Sequence, residues 1–157
     1  MSKEHLSTYL NDHLMGAVAA TELVDEFITE AADLKPFLTA LKTDIEFDRK
    51  ELVSLMDRLG ITQSRLRKAS GWLAEQVAEV KFAMEDENLR RLERFETLAL
   101  GIQGKLSLWR ALNASSSLDS RLAGLDYGRL EQRALDQLNR VEILRIKAAQ
   151  AALTPAA

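Results

Sequence analysis

Apolar residues recur along this chain at alternating spacings of three and four, in five stretches separated by breaks. In the first, Leu6, Leu10, His13, Ala17, Ala20, Val24, Phe27 and Ala31 share one face, which predicts a helix from about Leu6 to Ala31. The second places Leu38, Leu41, Ile45, Asp48, Leu52, Leu55 and Leu59 on a face and predicts a helix from about Lys35 to Leu59. Asp33 reads as its N-cap, Pro36 is tolerated in its first turn, and Arg58 and Gly60 close it. A third face, Leu66, Ala69, Leu73, Val77, Val80 and Met84 with Trp72 beside it, predicts a helix over about 62–84. The fourth, Leu92, Phe95, Ala99, Ile102, Leu106 and Trp109, runs from about Asn88 to Leu112 and follows an acidic break at 85–88. Asn113–Gly124 has loop composition, with a short turn near Leu118–Leu122. The last face, Tyr127, Leu130, Ala134, Gln137, Val141, Leu144, Ala148 and Ala151, predicts a helix from Tyr127 to Leu153, stopped by Thr154-Pro155.

The order is hairpin, long connection, hairpin. It predicts an all-α single domain over 1–157: a four-helix bundle with an additional connecting helix between the second and third long helices. Each long helix of about 25 residues would measure roughly 37 Å. Small residues interrupt two of the faces. Gly16, Ala17, Ala19 and Ala20 slim the first helix, and Gly101 and Gly104 the fourth. They are read as places where helices approach closely. No strand precedes the two later glycines, so they are not read as a phosphate loop.

Composition narrows the chemistry. The chain of 157 residues has no Cys, which removes disulfides, thiolate metal sites and thiol nucleophiles. Its net charge of −3 comes from interspersed charges, so neither nucleic acid nor an anionic membrane is the expected partner. The basic clusters Arg65, Arg67, Lys68 and Arg90-Arg91 are followed by acidic residues and are read as solvated faces. No apolar run approaches the roughly 20 residues of a membrane span. A cytoplasmic protein is expected.

Three seams carry one polar residue each: His13, Asp48 and Gln137. Their expected role is to fix helix register. Turn symmetry about Asp33 separates His13 and Asp48 by roughly 9 Å along the axis, so they are not expected to pair. Asp48 has two readings. Either a cross-helix Arg or Gln137 satisfies it inside, or its helix rotates and puts it at the rim. His13 is the one candidate general base, and it lacks convergent partners.

Four stretches, YLNDHLMGAVAATELVDEF, LKTDIEFDRKELVSLMDRLG, RRLERFETLALGIQGKLSLWRAL and LEQRALDQLNRVEILRIKAAQAAL, resemble the ferritin-like superfamily of four-helix bundles, in particular its small bacterial branch. The resemblance implies a crossover bundle. Members with a di-iron site use a Glu from each of two helices and Glu-x-x-His from the other two. The corresponding carboxylates would be Glu22, Glu46, Glu96, and Glu131 or Asp136. Arg49 follows Glu46 by three and Asn139 follows Asp136 by three, where His is required. The only histidines, His5 and His13, have Ser2 and Leu10 three residues before them. The expectation is therefore a bundle without catalytic residues, metal or cofactor. It would act through protein contact or as a homodimer, with Trp72, Trp109 and the small-residue faces as candidate surfaces. The alternative is a divergent metal- or small-ligand-binding bundle using Glu22, Glu46 and Glu96.

Overall fold

The computed structural model describes residues 2–63 and 86–155. Four long helices make up nearly all of them: α1 (Ser2–Glu30), α2 (Lys35–Arg58), α3 (Glu87–Ser116) and α4 (Tyr127–Leu153). Two short 3-10 turns, Ala32–Leu34 and Ser120–Leu122, serve the hairpin connections. The connecting helix expected over 62–84, Trp72 and the Arg65–Lys68 cluster fall outside the described residues, apart from Thr62 and Gln63.

Ion pairs give the helix directions. Lys42 on α2 meets Asp25 on α1 at 2.7 Å, and the short turn makes these helices antiparallel. Arg94, early on α3, meets Glu30, at the end of α1, while Leu10 and Leu14 share a core cluster with Leu108, Trp109 and Leu112. So α3 is antiparallel to α1. Arg110–Glu131 and Arg145–Glu96 make α4 antiparallel to α3. Asp48–Arg133 and Asp44–Arg140 place α4 against α2, also antiparallel. It follows that α2 and α3 run in the same direction. The end of α2 and the start of α3 lie at opposite ends of the bundle.

The helix ends show what starts and stops each element. Asp86 accepts from the Leu89 N–H at 2.9 Å and Asp126 from the Arg129 N–H at 3.0 Å, satisfying donors that a helix start leaves open. Asp33 does not cap α2. It lies within the first 3-10 turn, and no side chain caps either that turn or α2. Its carboxylate instead takes both Arg91 nitrogens, at 2.9 and 2.7 Å, and so ties the first hairpin to α3. Gly60 takes φ +62° just beyond α2, as expected of a glycine ending a helix. α3 continues through Ser116, four residues beyond the expected end, because Asn113–Ser116 keeps the helical path although its composition favours a loop.

The seams of α2, α3 and α4 are buried nearly as the periodicity predicts. On α1 the C-terminal part agrees and the rest, from Leu6 on, agrees only in part. Leu10, Val24, Phe27 and Ala31 are buried, but His13, Ala17 and Ala20 are only half-buried. The core falls into two apolar clusters. One holds Phe27, Leu41, Phe95 and Val141; the other holds Leu10, Leu55, Trp109 and Leu130. In the first, Phe95 meets Phe27 edge-on at 5.0 Å and Phe37 at 6.4 Å, each contact adding about 1 kcal/mol to simple burial.

Candidate ligand cleft at a polar layer

Along α2 the change from one apolar cluster to the other falls at Asp48, between Ile45 and Leu52. Asp48 is buried, and three side chains from two helices satisfy it. Lys105 Nζ on α3 lies 2.6 Å from Oδ2, Gln137 Nε2 on α4 donates to Oδ2 at 2.8 Å, and Arg133 Nε on α4 donates to Oδ1 at 3.0 Å. Lys105 also donates to Gln137 Oε1. Asp44, one turn before Asp48, pairs with Arg140 and lies 3.7 Å from Arg133. The Arg133 guanidinium stacks 4.2 Å above the Phe47 ring, which fixes its direction. A buried carboxylate is tolerable only when its lone pairs are met, and here they are.

The inside reading of Asp48 is therefore the observed one, with both Gln137 and a cross-helix Arg as partners. Gln137 is buried as expected. Lys105 was legible only indirectly. It lies off the apolar seam of α3 and next to Gly104, and the one signal for it was the need of a buried carboxylate for a cation. Arg94 was missed in the same way. It is buried near the start of α3 and holds Glu30 at 2.9 Å and Glu26 at 3.5 Å.

Level with this layer, α1 and α3 part. The opening is a cleft of about 200 Å³, with α1 and α3 as its walls and Ile45, Asp48 and Leu52 of α2 among its lining. Gly16, Ala17 and Ala20 line one wall and Gly101, Gly104 and Lys105 the other. Among the described residues no close approach is made at these positions. A Cβ added at Gly16, Gly101 or Gly104 would meet no described atom within 4 Å. The slim faces leave space between the helices because larger side chains at both ends hold α1 and α3 apart. At one end these are Arg94 with Glu26 and Glu30, and at the other Leu10 and Leu14 with Leu108 and Leu112.

His13 lines the same cleft, and Tyr9 packs edge-on to its ring at 4.7 Å. It does not pair with Asp48, as its height on α1 predicts. Burial lowers its pKa below the ordinary 6.5, with the Asp12 carboxylate pulling the other way, so the imidazole is neutral at pH 7. Trp109 also lines the cleft. It is not a surface residue as expected: it is 1% exposed, and its indole Nε1 is buried without an acceptor among the described residues.

Burial pushes the Lys105 ammonium below the ordinary lysine value of 10.5, while the Asp48 carboxylate opposes the shift. The folded-state pKa is the lower one. Between it and 10.5 the unfolded chain binds more protons, so unfolding free energy rises with pH through that window. Urea unfolding at a series of alkaline pH values is expected to show this rise, and Lys105→Met to abolish it. An unchanged slope in the variant would assign the rise to another group.

The carboxylates considered for a metal are not brought together. Glu22 is half-buried, while Glu46 and Glu96 are exposed. Glu46 lies 3.9 Å from Lys42 and Glu96 3.2 Å from Arg145. Among the described residues no group of three His, Asp or Glu could hold a metal ion. The mid-bundle layer does not fit a di-iron centre either, since Asp48 already accepts from three protein donors and the cation beside it is an ammonium. Among the described residues no helix is long and apolar enough to cross a membrane. Compared with known proteins, the chain matches no family model, no curated protein and no solved structure.

Proposed function

We propose that this chain is a ferritin-like four-helix bundle that binds a compact, largely apolar small molecule in the cleft between α1 and α3. The observation that carries the reading is that cleft: space that no described atom fills at Gly16, Gly101 and Gly104, walled by apolar side chains, with a satisfied polar layer as its base. Small-molecule sites have this character, an apolar hollow with few fixed polar groups, and bundles place them between facing helices. About 200 Å³ suits a single-ring ligand, since an engineered cavity of roughly 150 Å³ in another protein takes benzene. The common direction of α2 and α3 supports the ferritin-like assignment, because crossover bundles have it. The role is binding without catalysis: His13 lacks the oriented partner that acid-base work requires, and Asp48 is occupied by its three donors.

Filling the cleft tests this. Gly101→Ala is expected to stabilise the protein by about 0.5–1 kcal/mol, because it adds helix propensity where a Cβ meets nothing. A close-packed glycine would respond with a loss. Single-ring fragments are expected to shift the Trp109 indole N–H resonance of the wild type and to leave it unmoved in the Gly16→Leu/Gly101→Leu double variant. Equal response in both, or none in either, overturns the reading.

A second reading is self-association through α3 and α4, where Leu100, Ile143 and Ile146 are exposed. Light scattering that finds a strict monomer at high concentration ends it.

A further inference from the structure

The cleft holds more hydrogen-bond donors than the described residues use. An ammonium offers three hydrogens. Lys105 directs two of them to Asp48 and Gln137, which leaves one. The indole N–H of Trp109 is buried and has no acceptor among the described residues. A buried donor is costly to leave without an acceptor, and this one belongs to a residue that borders the cleft. Arg49 of α2 lines the same cleft, is half-buried, and makes no ion pair with a described residue. Its position one residue after Asp48 turns it away from the Asp48 network. Two carboxylates line the cleft. Asp48 is fully engaged, and Asp12 lies exposed beside His13.

From these groups we infer that the ligand is a monocarboxylate: a single ring or short branched chain with one carboxylate group. This rests on the cleft reading above and names what that cleft selects. The apolar part lies against Ala17, Ala20, Leu98 and Ile102, and the carboxylate accepts from Lys105 and Arg49 beside the buried Trp109 ring. A neutral molecule of the same shape fills the space but leaves Arg49 and the spare Lys105 hydrogen unanswered. A charge-assisted hydrogen bond is about twice as strong as a neutral one, so the anion is preferred. A dianion would carry charge that these donors, one of them an ammonium already paired with Asp48, do not neutralise.

Benzoate, benzyl alcohol and toluene separate the possibilities when titrated by calorimetry into the full chain, with the Trp109 indole resonance followed in parallel. Benzoate is expected to bind at least about tenfold more tightly than benzyl alcohol, and to shift the indole resonance of the neighbouring Trp109. Arg49→Met is expected to lower benzoate affinity by about five- to tenfold and to leave benzyl alcohol within about twofold. Because Arg49 makes no ion pair with a described residue, the variant is expected to keep its fold, and a thermal melt verifies that. If benzyl alcohol or toluene binds as tightly as benzoate, or Arg49→Met weakens all three alike, the carboxylate inference falls and the cleft stands. If none of the three binds, the cleft reading itself falls, and this inference with it.

Discussion

Asp48→Leu is expected to lower the unfolding free energy by about 3–5 kcal/mol, the usual cost of removing one member of a buried ion pair. The substitution leaves the Lys105 ammonium inside the bundle without its carboxylate and leaves Gln137 Nε2 without an acceptor. Leucine also adds apolar volume to a layer shaped for a carboxylate, but its burial cannot solvate the ammonium. The double variant Asp48→Leu/Lys105→Met removes both charges and is expected to recover most of the loss, since well-packed apolar replacement of a whole pair is often neutral or stabilising. Urea unfolding, with the slope unchanged between variants, measures both. A gain in stability from Asp48→Leu alone would mean that the carboxylate is not satisfied as described. Additive effects of the two substitutions would mean that they are not coupled.

The second large effect is at Trp109. Trp109→Ala is expected to cost about 3–5 kcal/mol, because it removes one of the largest buried side chains and leaves a cavity continuous with the cleft. Trp109→Phe keeps most of the packing and deletes an N–H that has no acceptor among the described residues. It is expected to cost at least about 2 kcal/mol less than the alanine change, because phenylalanine keeps most of the buried ring and avoids the cavity that alanine leaves. Thermal and urea unfolding of the two variants give the comparison. A phenylalanine variant as unstable as the alanine one would show that the indole N–H finds an acceptor. The enlarged cleft of Trp109→Ala is also expected to accept two-ring fragments that the wild type excludes.

The helices were legible because their information is local. A three-and-four spacing selects one face, and proline, glycine and capping residues mark ends. Those signals located α2 and α4 to within a residue. Where local signals were weaker than their surroundings, the reading went wrong. Asp33 has the chemistry of a cap, but its carboxylate takes the guanidinium of Arg91, far along the chain, instead of a helix start. Asn113–Ser116 reads as loop, yet α3 continues through it.

The candidate site divides the same way. His13, Asp48 and Gln137 stood out because each breaks an apolar seam, and the chain alone predicts that Asp48, if inside, needs a cation or an amide. Its composition also excludes disulfide and thiolate chemistry. What only the tertiary structure decided is which cation comes and what small residues are for. Lys105 and Arg133 reach Asp48 from helices far apart in sequence, and periodicity carries no information about which polar side chains on other helices fall at the same height. Gly16 and Gly101 have the same composition whether two helices touch or stand apart. The spacing of α1 and α3 is set at the ends of their contact, by Arg94 on one side and the Leu108–Leu112 turn on the other. The gap between them is therefore a property of the assembled bundle and of no single segment.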